Sequence, residues 1–130
     1  NTFKSMIRDL SLDYPDFLIA SSEWFAFVPA KEYFDEPGDH ADELETSVMM
    51  HYHPELVNLD EAGNGDYKKF TSQMLNEKVA WIPRNWQKVS QDTGIGNPKK
   101  ASAGKGKKYA EAVVAKYALL FEELVHKELY

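Results

Sequence analysis

With no cysteine in the chain, imidazole and carboxylate are the side chains left for metal or acid-base work. The candidates are His40, His51, His53 and Glu45. His51 and His53 are two residues apart, about 200° around a helix axis. They therefore do not grip one ion together, and they read as structural or surface residues. His40 is placed differently. It follows Pro37-Gly38-Asp39 at a loop-to-helix junction, with Glu45 about a turn and a half inside the helix. Such a junction can present an imidazole to a cleft. Spacing alone leaves open whether His40 is catalytic or an ordinary junction residue.

Two other patterns invite chemistry and fail on spacing. Gly94-Ile95-Gly96 has Lys99 where a dinucleotide loop needs its third glycine, and it follows no evident strand. Gly104-Lys105 is followed by Gly106 where a Walker loop needs Ser or Thr, so these read as ordinary loop glycines. Lys99, Lys100, Lys105, Lys107 and Lys108 form a basic cluster, but no aromatic residue is interleaved before Tyr109. The stacking partners of a single-stranded nucleic-acid site are missing, and a solvated loop and helix start is the expectation. Lys+Arg 15 against Asp+Glu 21, a net charge of -6, argues the same way against nucleic acid or an anionic membrane as the main partner. The apolar stretch Trp24 to Ala30 is far too short for a spanning helix.

These groups need elements to carry them. At 130 residues, 43% hydrophobic and 28% charged, the chain is globular in composition with one core expected, and zero cysteine fits a reducing, cytoplasmic compartment. From Thr2 to Leu12, Phe3, Met6, Ile7 and Leu10 recur at helical spacing, with Lys4 and Arg8 opposite, and Tyr14-Pro15 ends the helix. Phe17-Leu18-Ile19-Ala20 is short, unbroken and apolar, the pattern of a strand buried on both faces of an α/β sheet. Together they predict half of a βαβ unit, with its upstream strand before Asn1. Residues 21–39 mix aromatics with Pro29, Pro37 and Gly38 and read as loop with one short helical turn.

A helix is predicted from Ala41 to His53, stopped by Pro54. Leu44, Val48 and His51 share one face, Asp39 or His40 stands at its N-terminus, and Asp42, Glu43 and Glu45 fill its first turns. Residues 58–108 hold most of the Gly and Pro, so little helix is expected there beyond 68–77, and so long an irregular region is functional or an interface. The last helix is predicted from Lys107 to Tyr130. Its stripe comprises Tyr109, Val113, Tyr117, Leu120 and Leu124, flanked by Ala110, Val114, Phe121 and Val125.

The block His40-Ala41-Asp42-Glu43-Leu44-Glu45-Thr46-Ser47-Val48-Met49-Met50, followed by Pro54-Glu55-Leu56-Val57-Asn58-Leu59-Asp60, resembles the C-terminal signature of the creatininase (creatinine amidohydrolase) family. Gly94-Ile95-Gly96-Asn97-Pro98, Ala101-Ser102 and Lys105-Gly106 resemble the family's segment leading into its last helix, and Asn1 resembles the end of its Asn-Gly-His-Gly-Gly-Asn loop. The resemblance spans nearly the whole chain and implies a mainly parallel sheet with helices on both faces. It also implies that residues 1–130 are the C-terminal half of one creatininase-like domain, with the upstream half absent. Because the family's metal ligands belong to that half, no metal ligand is carried over to this chain.

What the resemblance does carry over is the neighbourhood of His40. It implies a metal-dependent amidohydrolase acting on a non-peptide or cyclic C–N bond of a small-molecule amide. Divalent metals, zinc or manganese and two in number, supply an activated water, and His40 shuttles the proton. Glu45 either orients His40 or is simply a buried carboxylate at the helix start. Trp24 matches an aromatic residue near the family's substrate pocket, or is a core tryptophan. Glu36-Pro37 stand where creatinine-specific members have a tryptophan-acid pair, which points away from creatinine itself. The family forms closed homo-oligomers such as hexamers. The 130-residue chain alone is expected to be inactive, and a non-catalytic scaffold that keeps the fold is the competing function.

Overall fold

A computed structural model describes residues 2–126 and Glu128. The predicted first helix forms as α1, Thr2–Asp13, which carries no buried residue. Its apolar side is open, with Phe3 and Leu12 at 68% and 82% exposure. Phe17-Leu18-Ile19-Ala20 is not a strand, and the described residues do not form the expected parallel-sheet α/β fold. Among the described residues β pairing is limited to two isolated antiparallel bridges, His40 with Ile95 and Tyr67 with Ser90. The reason is physical: a strand exists only through hydrogen bonds to a neighbouring backbone, and none runs beside Phe17 and Leu18, both largely exposed.

The ordered centre is a helix pair. α2 spans Glu43–Tyr52. Two single-turn helices follow, α3 (Gln73–Asn76) inside the segment expected to be helical and α4 (Trp86–Val89) inside the one expected to be irregular. The long α5 spans Ala103–His126. It begins four residues earlier than periodicity predicts because Ser102 caps it, its Oγ accepting from Lys105 N at 3.3 Å. Lys127, Leu129 and Tyr130, predicted to end this helix, lie outside the described residues, as does Asn1.

α2 packs against α5, and residues 24–34, folded into two 3-10 turns instead of the one expected, cover the aromatic side of the pair. Tyr109 is fully buried there, 5.2 Å from the Phe34 ring, 5.4 Å from Tyr33 and 6.1 Å from Trp24, with its hydroxyl donating to Phe25 O at 2.9 Å. That bond satisfies the one polar atom of a ring that otherwise belongs in the core. Along the predicted stripe of α5, Tyr109 and Val113 are buried and Tyr117, Leu120 and Leu124 half-buried; of its flanks, Ala110 is buried while Val114, Phe121 and Val125 are exposed.

Where α5 crosses α2, Gly106 permits backbone contact. A Cβ on Gly106 would lie 1.9 Å from Ser47 O, while Ser47 Oγ accepts from Ser102 N at 3.1 Å. This crossing fixes the height of the first turn of α2, and therefore of the residues that precede it.

Candidate functional site

The N-terminus of α2 is built by three acids with separate tasks. Asp42, and not Asp39 or His40, is the N-cap: its Oδ1 accepts from Glu45 N at 2.9 Å and its Oδ2 from Gly38 N at 2.5 Å. Glu45 reaches back, its Oε2 accepting from Ala41 N at 2.7 Å, a capping box displaced by one residue. The displacement comes from Ala41, whose φ of +48° bends the chain between His40 and the helix. Glu43 is fully buried and takes Glu36 N at 2.7 Å and the ammonium of Lys105.

His40 stands on this platform. Its backbone is held by Ile95, with His40 N donating to Ile95 O at 3.1 Å and Ile95 N to His40 O at 2.8 Å. The two loops approach this closely because Gly38 and Gly96 meet backbone to backbone. A Cβ on Gly38 would lie 2.6 Å from Ile95 O, and Gly96 has φ +124°. These glycines are thus more than loop punctuation. The His40 side chain is 47% exposed, its Nδ1 lies 3.5 Å from Glu45 Oε2, and its ring centroid lies 5.3 Å from that of Trp86.

The structure thus brings His40 and Glu45 together and places Trp24 in the aromatic packing around Tyr109. His51 and His53 go separate ways, His51 against the Tyr52 ring at 4.5 Å and His53 to Glu55 at 3.2 Å. Sequence reasoning missed Trp86, Arg84 and Asp39. Arg84 grips Asp39 with two bonds of 2.6 Å and lies 5.4 Å from the Trp86 ring centroid. A tryptophan beside an arginine in a Gly/Pro-rich region, opposite an acid next to His40, was the available signal.

A groove of about 440 Å³ opens beside this platform, lined among others by Glu45, Thr46, Met49, Asn58, Gly65 and Asp92. Glu45 is the residue shared by the groove and the His40 pair. Four of the five lysines of the basic cluster pair within the chain: Lys100 bonds Glu36 at 2.6 Å, Lys99 bonds Asn64 at 2.8 Å, Lys105 holds Asp35 at 2.8 Å as well as Glu43, and Lys107 faces Glu111 at 3.8 Å.

These pairings set the acid response. Lys105 holds Asp35 below its ordinary 3.8, Lys100 holds Glu36 below 4.5, and Arg84 holds Asp39 below 3.8. A carboxyl depressed in the folded state contributes stability above its unfolded value and loses it as pH falls through the folded one. The thermal unfolding midpoint is therefore expected to hold from neutrality down to about pH 4.5 and to fall below it. A midpoint unchanged at pH 3 would contradict these pairings.

A metal centre does not fit these residues alone. Among the described residues no group of three or more His, Asp and Glu converges, and His40–Glu45 and His53–Glu55 bring two donors each, whereas catalytic zinc takes three from the protein.

Comparison with known proteins decides the family. The family model Creatininase, described as creatinine amidohydrolase, matches residues 1–121. The chain belongs to the creatininase family. It is also similar to a solved structure, "Putative creatinine amidohydrolase from Bacteroides fragilis NCTC 9343", at 60% identity and a TM-score of 0.93, over 100% of this chain and 52% of that one. The chain thus spans about half the length of that creatininase. No curated protein matches it. Among the described residues no helix is long and apolar enough to cross a membrane.

Proposed function

We propose that this chain is the proton-handling part of an amidohydrolase that opens a non-peptide or cyclic C–N amide bond in a small molecule. The observation that carries this reading is the His40–Glu45 pair, beside an open groove, in a chain of the creatininase family. Zinc or manganese, two ions by the family resemblance, would supply the activated water, and donors for them would come from residues other than those described.

This chain's own part is proton transfer. In hydrolysis a water oxygen bonds the carbonyl carbon, the C–N bond breaks, and the departing nitrogen takes up a proton. His40 takes the proton from the water and delivers it to that nitrogen through Nε2, which has no hydrogen-bond partner among the described residues. Glu45 faces Nδ1 and stabilises the imidazolium formed between the two steps. Glu45 itself is held by Ala41 N, so its orientation does not depend on His40. Glu36-Pro37, in place of the tryptophan-acid pair of creatinine-specific members, points away from creatinine itself. Cytoplasmic location and a closed homo-oligomer belong to the same proposal.

The test uses the complete protein loaded with zinc or manganese. Ring opening of creatinine and deformylation of an N-formyl amide are followed by release of product. Metal-dependent turnover of either amide, absent from the 130-residue chain alone, is the expected result. No turnover on either, in a metal-loaded and folded protein, favours the scaffold instead.

A further inference from the structure

Two side chains flank the His40 ring, and they lie 41 residues apart in the sequence. Glu45, on the same helix start, faces Nδ1. Trp86 packs on the ring itself at 5.3 Å between centroids and 59° between planes. At 38% exposure this indole is not filling the core.

Trp86 is held at both sides. It opens the single-turn helix α4, whose far end is tied down by Lys68 N donating to Val89 O at 2.8 Å and by the Tyr67–Ser90 bridge. Its near side is fixed by Arg84, which lies 5.4 Å from the indole and is anchored by both nitrogens to Asp39, the neighbour of His40. A bidentate arginine-carboxylate pair has a fixed plane, and a guanidinium stacked on an indole inherits that plane. The closed circuit Asp39–Arg84–Trp86–His40 leaves the imidazole little freedom to rotate about χ2.

We propose that Trp86 is a positioning residue for His40, an indole wall clamped by Asp39–Arg84 that holds the imidazole with Nδ1 on Glu45 and Nε2 toward the substrate. The inference rests on the proton-transfer role proposed above for His40. An imidazole that rotates freely spends most of its time with Nε2 off the line of transfer, and misplacement of a catalytic group by about 1 Å can cost on the order of 100-fold in rate.

The test compares Trp86→Leu, Trp86→Phe and Arg84→Met with His40→Ala in the complete protein, on the same two amides. Trp86→Leu is expected to lower kcat by about 10–100-fold, with KM changed by less than about threefold. Trp86→Phe should recover most of that loss, because a ring is still there to pack on. Independently of turnover, the His40 Cε1–H resonance, identified by its absence in His40→Ala, carries a ring-current shift from the indole. It moves toward the position of an unshielded imidazole in Trp86→Leu and less so in Trp86→Phe. If Trp86→Leu does not fold, Arg84→Met reads the same clamp: a moved resonance and reduced kcat support it, and an unmoved resonance overturns it. Unchanged kcat in Trp86→Leu, with His40→Ala inactive, overturns the positioning role alone. Unchanged kcat in His40→Ala overturns the proton-transfer reading and this inference with it, even where the ring-current shift confirms the contact.

Discussion

Replacing His40 by alanine in the complete protein is expected to lower turnover by about 10²–10⁴-fold, the contribution of a positioned acid-base group, while fold and metal content stay near those of the unaltered protein. The two halves of this expectation have separate grounds. The rate falls because the remaining acid, Glu45, lies on the Nδ1 side of the ring, 3.5 Å away, and not where Nε2 hands over the proton. Stability holds because the side chain is 47% exposed and the backbone bonds to Ile95 do not need an imidazole. Turnover, melting midpoint and metal content measured on one preparation separate the cases. A variant that loses metal in proportion to activity would make His40 a ligand, and one that melts many degrees lower would make it structural.

How much of this was legible beforehand depends on how far apart in sequence the partners lie. The start of α1 and its end near Tyr14-Pro15 follow from a local apolar period and a proline, and both formed. The platform under His40 was half legible. Acids at the start of a helix announce an N-terminus, but Asp39 and Asp42 are equally good caps, and only the positive φ of Ala41 selects the later one. The His40–Glu45 pair was readable because five residues at a junction bring two side chains together. Asp39 and Arg84 are 45 residues apart, and nothing local predicts their pairing.

The sheet failed for a different reason. Phe17 to Ala20 is apolar without a period, so its length alone argued for a strand, and an apolar run records a need for cover without naming what covers it. The exposed flanks of the α5 stripe, Val114, Phe121 and Val125, make the same point, since periodicity reports a face and not its occupant. The glycines were misjudged in the same direction. Tested as phosphate loops they fail, yet Gly38, Gly96 and Gly106 are the positions where one backbone touches another, and they set where His40 stands.

Gly106→Ala puts that last claim to measurement, and two opposing terms decide its sign. Alanine in place of glycine inside a helix is favourable by up to ~1 kcal/mol from propensity. At Gly106 the new methyl would lie 1.9 Å from Ser47 O, 2.3 Å from Ser47 C and 2.8 Å from Val48 N, all backbone atoms with no rotamer to give. Overpacking of a tight contact costs ~1–3 kcal/mol and at times more, and a contact this short belongs at the upper end. The clash wins. α5 must move off α2, which weakens the Ser102 N to Ser47 Oγ bond and the Lys105–Glu43 pair beside it.

The expected result is a net loss of about 2 kcal/mol, a melting midpoint lower by on the order of 5–10 °C, and reduced turnover because the His40 platform rides on the same crossing. Gly104 supplies the control. It lies two residues earlier in the same helix, with nothing within 4 Å of its would-be Cβ. Gly104→Ala should therefore be neutral or stabilising by a few tenths of a kcal/mol up to ~1. Equal stability of the two variants would mean that α5 does not cross α2 in backbone contact at Gly106, and the placement of His40 over Glu45 would lose its support.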